Sequence, residues 1–190
     1  MLPDVDGVFV LGSSGEFALL EDTMRAELIN RTVERVEGRR PVYVGVGDTG
    51  TRRTIANARR ASRAGVDALV VCGPFYYPVT DQGALRAHFE AVADAVDRPV
   101  LLYNIPENTV SALTPDSVVA LAMHPNIVGI KDSGGTCSSS SGSWKPGPAR
   151  SPSCRVANSS PLSRSGRVPT AWCLLSRTSR RRASRRYATR

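Results

Sequence analysis

Short apolar runs recur along the first two thirds of the chain, and their spacing most limits the folds open to it. Each run is rich in Val, Ile and Leu, carries no charge and lies close to Gly or Pro. Such runs are typical of parallel strands buried on both faces. Five are present, at residues 8–11, 42–46, 68–71, 100–103 and 127–130. Their starts lie 26 to 34 residues apart, the length of a βα unit, which predicts a repeated βα fold with a parallel sheet.

The segments between these runs predict helices. Two of them carry apolar residues spaced for one helix face, at positions 24, 28, 33 and 36 and at positions 85, 89, 92 and 96. Thr114 followed by Pro115 predicts an N-cap and a proline at the first helical position. The segment 54–64 has the weakest helical pattern, because its apolar face is mostly alanine.

Two architectures fit this repeat, an open doubly wound sheet and a (β/α)8 barrel. The first strand is followed by no GxGxxG sequence, and the chain has no Walker A sequence, so a nucleotide-binding fold lacks its phosphate loop. Polar residues instead follow the strand ends, in GSSGE at 12–16, GDT at 47–49, FYY at 75–77, YN at 103–104 and KD at 131–132. A barrel gathers such ends around one central site. The sequence therefore favours an α/β fold of the TIM-barrel type.

The charge of the chain is divided unevenly. The formal net charge is +8, but residues 1–136 sum to −4, whereas residues 137–190 contain eleven Arg, one Lys and no acidic residue and sum to +12. Fourteen Ser and five Pro among these last 54 residues predict a disordered basic tail. We therefore interpret 1–136 as the folded domain and 137–190 as a Ser/Arg/Pro-rich tail.

The basic tail raises the question of an anionic partner. A +12 segment can bind nucleic acid through counterion release. However, Tyr187 is the only aromatic residue near the arginine cluster at 180–186, no nucleic-acid motif is present, and the rest of the chain is acidic. The sequence thus indicates salt-sensitive nonspecific binding and no specific nucleic-acid partner.

The same sequence argues against a membrane or a metal. No apolar run approaches the roughly 20 residues of a membrane span. The first residues lack the basic region and the cleavage site of a signal peptide. We therefore expect a cytoplasmic location and no membrane partner. The four Cys are spaced too widely for a CxxC motif, so neither a zinc site nor a disulfide framework is indicated.

Lys131 directly continues the last apolar run, which places its side chain at the end of a strand. Burial disfavours the ammonium form and lowers the pKa of a lysine, as a Schiff-base nucleophile near neutral pH requires. Two ordinary interpretations remain open: the amine reaches solvent along the strand end, or it pairs with Asp132.

Tyr103 ends the preceding strand, where its phenol can lie beside that amine and transfer protons. The alternative is an aromatic residue that caps the core.

Ser13 and Ser14 lie in a glycine-flanked loop whose N–H and hydroxyl groups can hold a carboxylate, although such turns are common. Surface or capping roles are expected for His88 and His124.

Taken in order, the strand-end motifs carry a family resemblance. GVFVLGSSGEFALL, CGPFYYP, LLYNIPENT and HPNIVGIKDSGG resemble the dihydrodipicolinate synthase and N-acetylneuraminate lyase family of class I aldolases, over nearly all of residues 5–135. The resemblance implies a (β/α)8 barrel, usually in a homotetramer. It also implies a lysine Schiff base with pyruvate or a related 2-oxo acid, and no metal or organic cofactor.

The resemblance also assigns roles to single residues. By motif, Lys131 is the Schiff-base lysine and Tyr103 the proton-relay tyrosine. Ser13 and Ser14 match the pair that contacts the carboxylate of the 2-oxo acid and supports the relay. Tyr76 matches a tyrosine that in many members reaches across a subunit interface to complete the relay.

One position departs from the synthase pattern. Dihydrodipicolinate synthases usually carry an arginine two residues after the proline of the YN(V/I)P motif, and Asn108 stands there in this chain. The motifs look more like the branch that contains 4-hydroxy-2-oxoglutarate aldolase and 2-keto-3-deoxy sugar acid aldolases. We therefore expect a lyase that cleaves a 2-oxo acid to pyruvate by retro-aldol chemistry, or runs the reverse.

The family pattern covers only part of a barrel. Members usually have one strand before the segment that matches the start of this chain and two more βα units after the lysine strand. Residues 137–190 do not have the composition of such units, and a frameshift near Gly135 or Thr136 explains their Arg, Ser and Pro bias. We thus expect a truncated, partial barrel of about strands 2 to 6, either active or an inactive or regulatory remnant.

Overall fold

The structure is a computed structural model that describes residues 7–134, 153–157 and 171–176. In the first of these segments strands and helices alternate, as the repeat predicts. The elements are β1 (Val8–Val10), α1 (Asp22–Val36), β2 (Val42–Gly45), α2 (Thr51–Arg63), β3 (Ala68–Cys72), α3 (Gln82–Asp94), β4 (Val100–Asn104), α4 (Pro106–Thr109), α5 (Pro115–Leu121) and β5 (Ile127–Asp132). No helix in the described part of the chain is both long and apolar enough to cross a membrane.

The order of the strands decides between the two architectures that the sequence left open. Strands β1 to β5 pair in parallel and follow one another across the sheet in chain order. A doubly wound sheet reverses its order at a switch point, whereas a barrel adds each new strand on the same side. The sheet is therefore wound as a segment of a barrel, which confirms the predicted fold class.

Two further strands lie in the basic segment, where the sequence predicted disorder. Strand β7 (Ala171–Ser176) pairs antiparallel with β5, and β6 (Ser153–Ala157) pairs antiparallel with β7. The sequence did not indicate these two strands; the edge of β5 offers backbone N–H and C=O groups that an extended segment can satisfy. The other residues of 137–190, including Tyr187 and the arginine cluster, lie outside the described part of the chain.

The sheet separates two apolar layers, because successive side chains of a strand point to opposite faces. The larger layer packs the helices against the outer face of the sheet, with Phe89 and Leu102 among its fully buried side chains. The smaller layer covers the inner face and consists of Ala68, Val70, Cys72, Leu101, Tyr103 and Ile105. Tyr103 therefore belongs to the inner face and lies near the carboxyl end of β4, the end of the strands at which a barrel places its site.

Helix α1 forms where predicted but buries a different face. Met24 and Leu28, which the apolar spacing placed on the buried face, are exposed, whereas Arg25 and Ile29 are buried. The helix is rotated because Arg25 has a buried partner: its guanidinium lies 3.2 Å from the carboxylate of Asp48. The buried face of the helix thus combines this ion pair with the apolar side chains of Ile29 and Val36.

This ion pair ties together two loops at the carboxyl ends of the strands, the loop that follows β1 and the loop that follows β2. Arg25 Nε donates a hydrogen bond to the carbonyl oxygen of Leu20, at the end of the GSSGE loop. Asp48 follows β2 and also accepts hydrogen bonds from Arg53, Asn57 and the backbone N–H of Thr49. Burial alone would raise the pKa of Asp48, but these hydrogen bonds outweigh burial and lower it.

Gly45 explains how closely that loop approaches the sheet. A side chain at Gly45 would collide with the carbonyl oxygen of Leu11, the residue that follows β1. Glycine therefore lets the start of the loop lie directly on β2.

Thr114 and Pro115 start α5 as predicted, with the Thr114 side chain accepting a hydrogen bond from the N–H of Ser117.

We expect Asp48→Ala to lower the free energy of unfolding by about 3–5 kcal/mol, because it leaves the guanidinium of Arg25 buried without its acid. Asp22→Ala is the matched control: this carboxylate is 44% exposed and faces Arg53 and Arg60, so its loss should cost about 1 kcal/mol or less. Urea unfolding at pH 7 measures both variants. Equal losses for the two would contradict this role of Asp48.

The same pair of proteins gives a pH test. A carboxyl whose pKa is lowered by folding stabilises the fold above its ordinary pKa, and that contribution disappears as the pH falls. The difference between wild type and Asp48→Ala should therefore shrink as the pH is lowered from the ordinary value of 3.8 through the lowered pKa. A difference that stays constant below pH 3.8 would contradict the assignment.

Candidate active site

The candidate site is centred on Lys131 and Tyr103, which lie side by side on neighbouring strands. Tyr103 of β4 is the register partner of Lys131 of β5, and Cys72 of β3 is the register partner of Tyr103. The three residues therefore form one row across the carboxyl end of the parallel sheet. The structure thus brings together Lys131 and Tyr103, which the sequence predicted as a nucleophile and a proton-transfer group.

The amine of Lys131 is buried against the ring of Tyr103. The residue is 8% exposed, and its Nζ lies 3.5 Å from the centre of the Tyr103 ring. Burial lowers the pKa of Lys131, and the hydroxyl of Tyr103 offsets part of this effect by hydrogen bonding to the charged form. A larger fraction of neutral amine is thus present near neutral pH than for an ordinary lysine, which favours a nucleophilic role.

The two ordinary interpretations of Lys131 do not fit this geometry. The amine does not extend to solvent, since the residue is buried. Asp132 does not pair with it, because its carboxylate accepts hydrogen bonds from the side chain of Asn104 and the N–H of Gly134. Adjacent residues of a strand also point to opposite faces, so Asp132 lies on the other side of the sheet.

The surroundings of Tyr103 are compatible with both of the roles that the sequence left open. Its ring packs in the inner-face layer and meets the edge of the Phe9 ring, with 6.3 Å between the ring centres. Its hydroxyl lies 3.2 Å from the hydroxyl of Ser13. Packing thus fixes the ring, while the phenol has a partner through which a proton can pass.

The GSSGE loop presents its two serines differently. Ser13 and Gly15 bound a short 3₁₀ turn that places the Ser13 hydroxyl against Tyr103, whereas Ser14 is exposed on the same turn. The N–H groups of Gly15 and Glu16 bond to carbonyl oxygens within the turn. The loop therefore offers hydroxyl groups to a ligand, and those two amides are already engaged.

Tyr76 is not part of the buried cluster. Its side chain is 78% exposed, and its ring contacts the ring of Tyr77 edge to face, at 4.8 Å between centres. Its backbone has φ of 80°, in the left-handed region that is strained for a residue with a side chain. The structure thus presents Tyr76 outwards and does not bring it to Lys131.

Sequence reasoning missed Ser133 and the true place of His88. Lys131 Nζ donates a hydrogen bond to Ser133 Oγ at 3.3 Å. His88 is buried, not on the surface as expected: its ring nitrogens lie 2.9 Å from the hydroxyl of Thr51 and 3.3 Å from the carbonyl oxygen of Cys72. Burial lowers the pKa of His88. A signal for this was present, because His88 shares a helix face with Leu85 and Val92.

His124 lies just after α5, and its side chain bonds outside that helix. It accepts a hydrogen bond from the N–H of Asn126 and contacts the carboxylate of Asp94. Among the described residues, no group of three or more His, Cys, Asp or Glu side chains has an arrangement that could hold a metal ion. The residues of the site offer an amine, a phenol and hydroxyl groups, which suit covalent chemistry on a carbonyl compound.

The chain is similar to known proteins of the dihydrodipicolinate synthase family. A 4-hydroxy-tetrahydrodipicolinate synthase from Stenotrophomonas maltophilia is 48% identical over 132 residues, which are 69% of this chain and 44% of that protein. The structure of YagE from E. coli K12, a member of the dihydrodipicolinic acid synthase family in complex with pyruvate, matches with a TM-score of 0.65 and 44% identity, over 68% of this chain and 43% of YagE.

A third match bears on assembly. A structure described as the first monomeric dihydrodipicolinate synthase variant is 31% identical with a TM-score of 0.66, over 69% of this chain and 44% of that variant. The chain thus spans less than half the length of these relatives.

The family model of the dihydrodipicolinate synthetases matches residues 3–142. This range contains every strand of the parallel sheet and every residue of the candidate site. The resemblance read from the strand-end motifs is therefore confirmed. The chain belongs to the dihydrodipicolinate synthetase family.

Proposed function

We propose that the chain acts as a class I carbon–carbon lyase, in which Lys131 forms a Schiff base with pyruvate or another 2-oxo acid. The observation that carries this proposal is the buried Nζ of Lys131, 3.5 Å from the ring centre of Tyr103. Membership of the family and the pyruvate bound in the YagE structure support the choice of a 2-oxo acid.

The neutral amine adds to the C2 carbonyl of the 2-oxo acid. The amine nitrogen loses one proton as the carbonyl oxygen takes up one to give the carbinolamine; a second proton on that oxygen lets it leave as water, and the iminium remains on Nζ. Tyr103 supplies and recovers these protons, with Ser13 as its partner at 3.2 Å. The inner-face layer around Tyr103 keeps other water away from the amine.

Aldol cleavage then breaks the bond between C3 and C4. Its electron pair moves into the iminium to form an enamine, the C4 hydroxyl gives its proton to deprotonated Tyr103, and the fragment that begins at C4 leaves as an aldehyde. Protonation of C3 and hydrolysis of the iminium release pyruvate and restore the amine. Condensation is the same sequence in reverse. No step requires a metal or an organic cofactor.

Contacts to the rest of the substrate belong to the same proposal. Ser13 and Ser14 hold the carboxylate of the 2-oxo acid, since both lie on the turn beside Tyr103. Tyr76 contributes from a neighbouring subunit of a homotetramer, in line with its exposed ring. The monomeric variant among the relatives makes the assembly a separate question. A cytoplasmic location and the absence of a specific nucleic-acid partner remain predictions.

The identity of the acceptor substrate distinguishes two candidate activities, aldol cleavage and condensation. Asn108, in α4, offers no positive charge for a second carboxylate, which favours aldolase chemistry on a 2-oxo sugar acid or on 4-hydroxy-2-oxoglutarate. The similarity to a 4-hydroxy-tetrahydrodipicolinate synthase favours condensation instead. Release of pyruvate from those 2-oxo acids, against consumption of pyruvate together with an aldehyde, separates the two activities.

We expect borohydride with pyruvate to trap an adduct on Lys131, because its buried neutral amine forms the imine that borohydride reduces. The chain contains only two lysines, Lys131 and Lys145, so peptide mass mapping assigns the adduct without ambiguity. Lys145→Arg is the matched control and should keep the adduct, whereas Lys131→Arg should lose it. Labelling of Lys145 alone, or of neither lysine, would contradict the proposed function and favour an inactive remnant.

Tyr103→Phe should slow trapping by about 10²–10⁴-fold, the usual contribution of a positioned proton donor. The pH at which half of Lys131 is reactive should also fall, since the variant loses a hydrogen bond that stabilises the ammonium form. Tyr77→Phe, at an exposed ring, should change neither quantity. If Tyr103→Phe traps pyruvate at the wild-type rate, the phenol is only a packing group.

Lys131→Met should stabilise the chain by about 0.5–2 kcal/mol at pH 7, because it replaces a buried amine with an apolar side chain of nearly the same length. A lysine whose pKa is lowered by folding costs stability most below that pKa, and the cost disappears as the pH rises toward the ordinary value of 10.5. The gain should therefore shrink with rising pH in urea unfolding. A gain that grows with pH would contradict the buried, neutral amine.

A further inference from the structure

We propose that Asn104 and Asp132 are positioning residues that hold β4 and β5 in the one register that brings Lys131 to Tyr103. The inference rests on the proposed function, since it concerns the same lysine. The two residues directly follow Tyr103 and Lys131 on the two strands and are themselves register partners. We call their paired side chains the strand-end clasp.

The register between β4 and β5 is irregular. Val100 pairs with Ile127, but the next residue, Leu101, pairs with Gly129, so β5 carries one extra residue, Val128, at a bulge. In a regular ladder continued from Val100 and Ile127, with Val128 paired to Leu101, Tyr103 would pair with Ile130. A slip by one residue turns every following side chain to the other face. Lys131 would then face the helices, and the site would be lost.

The strand-end clasp fixes this register just beyond the site. Asn104 Nδ2 donates a hydrogen bond to Asp132 Oδ1 at 2.9 Å, and the same oxygen accepts the N–H of Gly134 at 3.0 Å. The backbone carbonyl of Asn104 accepts the N–H of Ser133 at 2.8 Å. Asn104 and Asp132 are 2% and 8% exposed, so water does not readily replace these bonds, and a register slip would leave buried polar groups unsatisfied.

The side chains of the clasp lie on the face of the sheet opposite to Lys131, because they are one residue further along each strand. Asn104 Oδ1 also accepts the N–H of Leu113, a residue of the helix-side layer. The clasp therefore acts on the amine through the backbone and does not contact a substrate bound at Nζ.

The chain after β5 closes tightly over the clasp. A side chain at Gly134 would come within 2.6 Å of the ring of Pro106 and 2.9 Å of Asn104 Nδ2. The turn after Lys131 is thus held between the clasp and the start of α4. Ser133, which accepts the hydrogen bond from Lys131 Nζ, lies in this turn, so the same contacts also fix the partner of the amine.

The test compares Asn104→Ala and Asp132→Ala with Asn126→Ala in the full chain. Asn126 precedes β5, and its Nδ2 bonds to the carbonyl oxygens of Ala93, Val96 and Arg98. Its loss therefore weakens the opposite end of the same strand and reports the effect of destabilisation alone. Urea unfolding of each variant shows whether the comparison is made between folded proteins.

We expect the two clasp variants to slow borohydride trapping of pyruvate on Lys131 by about 10²-fold, the effect of misplacing a reacting group by about 1 Å. The pyruvate concentration for half-maximal trapping should change less than about threefold, because the clasp does not bind substrate. Asn126→Ala should trap pyruvate within about threefold of wild type. Trapping rates for the clasp variants that match Asn126→Ala would overturn the proposal.

Two conservative variants separate positioning from charge. Asp132→Asn keeps an oxygen for Asn104 and Gly134, and the exchanged pair Asn104→Asp with Asp132→Asn restores a donor facing an acceptor. Both should trap within about tenfold of wild type. If Asp132→Asn is as slow as Asp132→Ala, the charge of Asp132 matters and the positioning role is wrong.

A second readout does not depend on the reaction. With ¹³C-methylated lysines, an NMR titration of Lys131 should show its pKa rise toward the ordinary value in Asp132→Ala, where the amine is released from its buried place, and stay unchanged in Asn126→Ala. Wild type that forms no adduct would overturn the proposed function but leave this titration to decide on the clasp. An unchanged titration in Asp132→Ala would overturn the clasp itself.

Discussion

The pairing of β4 with β5 is the contact on which the candidate site depends. One extra residue, Val128, shifts β5 so that Lys131 rather than Ile130 stands beside Tyr103. All the chemistry proposed for the chain follows from that shift, because it turns the amine to the inner face and buries it against a phenol. A regular ladder of the same sequence would put an isoleucine there. The bulge is thus the structural basis of the site, and the bonds between Asn104 and Asp132 keep it in place.

Arg25 and Lys131 are both buried basic side chains, but their burial has opposite effects on stability. Arg25 is buried with the carboxylate of Asp48 and holds the GSSGE loop through the Leu20 carbonyl, so its burial contributes to the shape of the site. Lys131 is buried against an aromatic ring, and its pKa is lowered because the ammonium form is poorly solvated. The first arrangement stabilises the fold once it is complete. The second lowers stability, and in the proposed function this loss is the cost of a reactive amine, a balance found at many functional sites.

Much of the fold and part of the site were predictable from the sequence. The five apolar runs became the five parallel strands, because buried strands need continuous apolar residues. Lys131 and Tyr103 were recognisable because each polar group directly follows such a run. The bulge was not predictable, since Val128 is as apolar as its neighbours and leaves no mark in the pattern. The orientation of α1 was wrong because the partner of Arg25 lies 23 residues further along the chain. The strands at 153–157 and 171–176 escaped prediction because they follow from an open backbone edge, to which composition gives no guide.

The most direct test of this account is the register of β4 and β5 in solution. With selectively labelled Tyr, Lys and Ile, nuclear Overhauser contacts report which side chain of β5 lies beside the Tyr103 ring, and only two lysines have to be assigned. The bulged register gives contacts from the Tyr103 ring protons to the side-chain methylene groups of Lys131. Contacts from that ring to Ile130, with none to Lys131, would show a regular ladder and would contradict the account of the site.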